Sequence, residues 1–78
     1  MLTQRLHEYI QNYNSARANF DLGREYELLG QTGAAISFYL RTAERSQTDL
    51  EQYEALLRMA LCFERQKTRD DTEKVILQ

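Results

Sequence analysis

Seventy-eight residues bound the chain to a single domain, and a domain of that size hides only ~60% of the surface its unfolded chain exposes, so a deep interior pocket and catalysis are not expected. A formal net charge of −2 lacks the basic balance that phosphate neutralisation requires, so no nucleic-acid partner is expected. With no proline and three glycines, the chain also lacks the punctuation of hairpins and sandwiches, while its Leu, Glu, Arg, Gln and Ala favour helix.

The first apolar residues, Leu2, Leu6, Tyr9, Ile10 and Tyr13, recur at helical spacing and predict an amphipathic helix over 2–13. Its polar faces carry only Arg5 and His7 as cations, so packing against its own domain is favoured over a membrane surface. Neither the apolar run of a signal peptide nor a stretch of ~18 apolar residues occurs. The single Cys62 has no partner for an internal disulfide, which fits a reducing compartment. A cytoplasmic chain with no membrane contact is the expectation.

Asn12, Asn14 and Ser15 can accept hydrogen bonds from local amides, which predicts a break and a helix start. A second helix over 15–29 carries Ala18, Leu22, Tyr26 and Leu29 on one stripe and Ala16, Phe20 and Leu28 on another, so two faces are predicted to be covered. Gly23 in its interior costs ~1 kcal/mol relative to Ala, a cost offset where a neighbouring helix approaches closer than a Cβ allows. Gly30 then suits the left-handed position after the helix, and Thr32 can cap the next. That third helix, 33–46, is predicted to bury Ala35, Ile36, Tyr39, Leu40 and Ala43, and the short link makes it antiparallel to its predecessor.

The run Thr48-Asp-Leu-Glu51 is a capping box that opens a fourth helix. The helix continues through Tyr53, Leu56, Leu57, Ala60, Leu61 and Phe63 to about Gln66, with Glu54 and Arg58 as a surface pair. The polar stretch 67–71 reads as a connector, with Asp70 or Asp71 capping a fifth helix that runs to Gln78.

Residues that could carry chemistry do not converge. His7 has no Cys, Asp or second His at ligand spacing. Cys62 lies on an apolar helix without a basic activator nearby in sequence, so it reads as a small packing residue. Asp70-Asp71 lacks the spaced acids and glycine of a calcium loop, and the basic run Arg65, Lys67, Arg69 is followed at once by those aspartates and reads as solvated. No enzyme, cofactor or metal site is expected. The tyrosines at 9, 13, 26, 39 and 53 read mostly as core or inter-helix residues.

The run Leu22-Gly23-x2-Tyr26, followed by Gly30 and Ala35-x3-Tyr39, resembles the tetratricopeptide repeat, whose signature is W-x2-L-G-x2-Y, then A-x3-F, then P. Asn19 stands at the Trp position. A weaker copy is Leu56-x2-Met59-Ala60-x2-Phe63, with Val75 as the counterpart of Ala35. It lies further along than the family period of ~34 residues, which predicts a lengthened connection around 44–50. The resemblance implies an all-α chain: antiparallel helical hairpins stacked as a short tetratricopeptide-like solenoid of about five helices. All of it falls in one domain, 1–78, made of an N-terminal helix at 2–13, a first repeat at 16–49 and a partial second repeat at 50–78.

The resemblance also implies a non-catalytic protein–protein interaction or scaffold module, whose concave surface is lined by the first helix of each hairpin. On this chain that surface maps to Arg17, Phe20, Arg24, Glu27 and Leu28, then to Glu54, Leu57, Leu61, Glu64 and Arg65. Where family members hold Lys and Asn to grip a C-terminal carboxylate, this chain has Phe20, Arg24, Glu54 and Arg58, so an amphipathic helix or apolar peptide is the expected partner. Three alternatives stand beside it. The 2–13 helix could fill the groove and make Phe20 and Leu57 core residues. The end carrying Val75, Ile76 and Leu77 could join two copies, because repeats bury their faces against neighbours. The chain could also be a regulatory or substrate-positioning segment of a larger protein, such as a glycosyltransferase.

Overall fold

Three helices follow one another in the computed structural model, which describes residues 2–4, 6 and 15–77 and the side-chain surroundings of those up to residue 70. They are α1 (Ala16–Leu28), α2 (Thr32–Arg45) and α3 (Asp49–Leu77). Residues 2–4 and 6 are helical as well. The remainder of the predicted N-terminal helix over 2–13, residue 5 and residues 7–13, lies outside the described residues. No strand occurs among the described residues, as the composition predicts.

The helix ends follow the local chemistry of the sequence. Ser15 caps α1, its hydroxyl accepting a hydrogen bond from the Ala18 amide at 3.1 Å. At the other end Gly30 adopts φ +76°, the Gly30 amide donates to the Glu27 carbonyl at 3.0 Å, and the Gln31 amide donates to the Tyr26 carbonyl at 2.9 Å. This is the paired closure that a left-handed residue after a helix permits. Thr32 does not cap α2. Gln31 takes the cap position without a side-chain bond, and Thr32 is already the first helical residue. Thr48 opens α3 as predicted, its hydroxyl accepting from the Glu51 amide at 3.2 Å.

The predicted break at 67–71 does not occur. One helix of 29 residues, Asp49–Leu77, replaces the expected fourth and fifth helices. Lys67-Thr-Arg-Asp-Asp contains no proline or glycine, and Asp or Thr inside a helix costs well under ~1 kcal/mol, so polar composition alone does not stop one. A five-helix solenoid is therefore not the architecture of the described residues.

Connections of three residues each, 29–31 and 46–48, place α2 antiparallel to both neighbours. It packs along α1 on one side and α3 on the other, while α1 and α3 meet only marginally. The Cα envelope, 47 × 28 × 13 Å, is that of a single layer of helices. Among the described residues the buried apolar ones are mostly small, Ala18, Ala35, Ala43, Ala55 and Cys62, with Leu22 and Tyr39 larger, and Asn19, Glu27 and Thr42 are buried beside them. Tyr39 occupies the centre, its ring 5.6 Å from that of Phe20 and over Gly23, where a Cβ would lie 2.6 Å from Tyr39 Cε1. The tight approach predicted at Gly23 is thus made by an aromatic ring of the facing helix. Tyr26 stacks on Phe38 at 5.4 Å across the same pair of helices.

Several apolar positions lie outside this core. Leu29, the last residue of the first predicted stripe, and Leu28, the last of the second, are exposed, so neither stripe is covered along its whole length. Leu40 and Tyr53, interior by their spacing, are exposed too. A single layer has two open faces, and helix periodicity does not tell a covered face from an open one. No helix among the described residues is long and apolar enough to cross a membrane.

Candidate functional site

Because α2 holds α1 and α3 apart, a trough runs between them. Phe20 and Arg24 of α1 face Glu54, Leu57, Arg58 and Leu61 of α3 across it. Towards the start of α1 it continues past Ala16 and Arg17, with Thr42 and Glu51 opposite. The floor is apolar. Phe20 is half-buried against Tyr39, while Leu57 and Leu61 retain 46% and 42% exposure.

One carboxylate organises the upper part of the trough. Glu27, whose side chain is 4% exposed, lies among three guanidinium groups: Arg65 Nη1 at 2.7 Å, Arg58 Nη1 at 3.7 Å and Arg24 Nη1 at 3.7 Å. It also accepts a hydrogen bond from the Tyr39 hydroxyl at 2.6 Å. A single acid on α1 is thereby tied to α2 through Tyr39 and to α3 through Arg58 and Arg65. The cluster carries three positive charges against one negative. The three arginine side chains are 36%, 34% and 57% exposed, and two of them, Arg24 and Arg58, line the trough.

Of the residues mapped from sequence, Phe20, Arg24, Leu57 and Leu61 come together in the trough, and Arg17 lines its lower stretch. Arg17 is 3.3 Å from Asp21 and lies over the Phe20 ring. Arg65 reaches Glu27 and borders a shallow depression shared with Leu61 and Glu64. Two mapped residues sit elsewhere. Glu27 is buried beneath the arginines and does not line the trough, and Leu28 is 73% exposed and lines none of these depressions. Arg58, the surface partner of Glu54 by spacing, reaches across to Glu27 instead. The four-residue interval points only to the nearer partner, and tertiary contact supplies the other.

Burial first, and then the hydrogen bond to Glu27, push the Tyr39 phenol well above its ordinary range. Burial likewise pushes the Cys62 thiol up, which keeps this buried thiol protonated and suits a packing residue. For both groups the folded pKa is raised, so the stabilisation is full below the unfolded value, ~10 for tyrosine, and is lost as pH climbs through the folded one. The expected alkaline titration shows a phenolate step later than that of free tyrosine and coincident with loss of helical circular dichroism. Tyr39→Phe removes that step; a late step that survives the substitution overturns the assignment.

No family model, curated protein or solved structure matches the chain.

Proposed function

We propose that this chain is a non-catalytic protein-interaction module that grips a short helix or peptide of another protein in the trough between α1 and α3. The observation that carries this reading is the open apolar floor of Phe20, Leu57 and Leu61 flanked by Arg24 and Arg58. An amphipathic helix lays apolar residues into such a floor. Arg24 and Arg58, with Glu54 beside them, leave the trough one positive charge in excess, which favours a partner with an acidic residue beside its apolar ones. The resemblance to tetratricopeptide repeats is a second support, since members of that family use the surface formed by the first helix of each hairpin. A cytoplasmic setting belongs to the same reading.

The test uses peptides selected from a displayed random library against the whole chain, with affinities then measured by calorimetry. Selected peptides are expected to carry apolar residues at helical spacing with acidic neighbours. They should bind Leu57→Ser/Leu61→Ser at least about tenfold more weakly, a loss of ~1.4 kcal/mol, with helicity unchanged because both leucines are substantially exposed. Peptides that bind the double variant as well as the parent overturn the trough as the site.

A further inference from the structure

The trough uses only one flank of α3. On the next flank the positions Asp49, Tyr53, Leu56, Ala60, Phe63 and Lys67 follow one another at spacings of four and three residues, and all six are exposed. That alternation is the seam along which two helices interlock. Its centre is apolar, with Tyr53 63% and Phe63 52% exposed, and its two ends carry opposite charges. The repeat pattern gives the seam a further meaning. Leu56, Met59, Ala60 and Phe63 correspond to Asn19, Leu22, Gly23 and Tyr26 of α1, and α2 packs along that side of α1 with its Tyr39 ring over Gly23. On α3 the corresponding side is bare, apart from Met59, which packs against the core.

We infer that this seam pairs with the same seam of a second copy, antiparallel, about a two-fold axis near the middle of the stripe. In that register Leu56 of one copy meets Ala60 of the other, Tyr53 meets Phe63, and Asp49 meets Lys67. Each contact occurs twice, as an isologous interface requires. Ala60 is the small residue that lets the axes approach, and the acid at one end and the lysine at the other make the stripe complementary to itself only when the helices run in opposite directions. A parallel pair would set Asp49 against Asp49 and Lys67 against Lys67. The surface is distinct from the end carrying Val75, Ile76 and Leu77, and it leaves Leu57 and Leu61 open. A dimer built this way presents two troughs.

Sedimentation equilibrium on the whole chain tests the pairing. Six seam positions fall short of the ~20–30 residues a side of a standard interface, so a dissociation constant in the micromolar range or weaker is expected. Ala60→Glu should leave a monomer up to about 1 mM, because a charge then faces the apolar centre twice. Asp49→Lys and Lys67→Asp should each weaken the dimer at least about tenfold, and the two together should restore it to within about threefold of the parent. All three positions are exposed, so circular dichroism should report unchanged helix in every variant. A parent chain that stays monomeric at about 1 mM overturns the inference, as does a dimer indifferent to Ala60→Glu. A double reversal as weak as the single ones overturns the antiparallel register. None of these outcomes depends on whether the trough binds peptide.

Discussion

Replacing Gly23 with valine should destabilise the chain by about 3 kcal/mol, the upper end of what overpacking a filled interior costs. A Cβ at this position would lie 2.6, 2.7 and 3.1 Å from three carbons of the Tyr39 ring, closer than carbon atoms approach without displacement. The ring cannot simply swing aside. Its hydroxyl is held by Glu27 at 2.6 Å, it lies against Phe20, and it belongs to the same buried cluster as Ala35 and Cys62. Gly23→Ala is the sharper experiment because two effects oppose each other there. Alanine gains ~1 kcal/mol of helix propensity over glycine, while the contact with the ring costs ~1–3 kcal/mol, so a net loss of about 1 kcal/mol is expected. In a Tyr39→Leu background the ring is gone and the same change should become neutral or stabilising, a coupling of the kind residues in contact display. Urea unfolding followed by circular dichroism gives all four corners of the cycle. A Gly23→Ala chain more stable than the parent would show that the ring yields and that the close approach is not what glycine serves. Against a whole stability on the order of 4–12 kcal/mol, the valine variant gives up roughly a quarter to three quarters of it.

Gly23 also marks the kind of feature that sequence makes legible. A glycine inside a helical stripe signals close approach, and the capping chemistry of Ser15, Gly30 and Thr48 fixes three helix ends almost to the residue. These are local signals, decided within one turn of chain. Periodicity does not decide how many layers the helices form. Leu40, Tyr53 and Leu29 sit at the spacing of buried residues yet are exposed, because a single layer offers each helix fewer neighbours than its apolar content suggests. The absent break at 67–71 has a related cause. Lys67, Arg69 and Asp70 are hydrophilic, and hydrophilicity marks exposure rather than the end of a helix.

The trough is legible in part. Phe20, Leu57 and Leu61 emerge from sequence because corresponding positions of two similar segments face the same side of a layer. The same logic puts Glu27 beside them, but Glu27 is buried and does not line the trough. Its side chain turns under the arginines, because an acid in the last turn of α1 can reach Tyr39 on α2 and Arg65 on α3 at once. The sequence separation of Glu27 and Arg65 leaves no local signal of that contact.

Glu27→Ala should cost about 3 kcal/mol and should loosen α3 before the rest of the chain. Removing one partner of a buried ion pair typically costs ~3–5 kcal/mol, most of it from the charge left behind. Here the charges left behind belong to Arg24, Arg58 and Arg65, whose side chains are 36%, 34% and 57% exposed, so water screens them and the lower end applies. The buried Tyr39 hydroxyl accounts for about half of that loss, since a hydrogen bond to a charged acceptor contributes ~1.5–3 kcal/mol. Glu27→Gln separates the two parts. It keeps an acceptor within reach of Tyr39 and removes the charge, so about half of the alanine deficit should remain. Added salt should shrink that remaining deficit by screening the three guanidinium groups from one another, and should leave the deficit of Tyr39→Phe unchanged. Because α1 and α3 meet only marginally, the carboxylate, bonded to Arg65 and close to Arg58, ties them together. Amide exchange in α3 is therefore the local readout: protection around Arg58 and Arg65 should fall in Glu27→Ala further than protection in α2. A uniform fall across all three helices would mean that the cluster stabilises the core as a whole and does not act as the tie between the two walls of the trough.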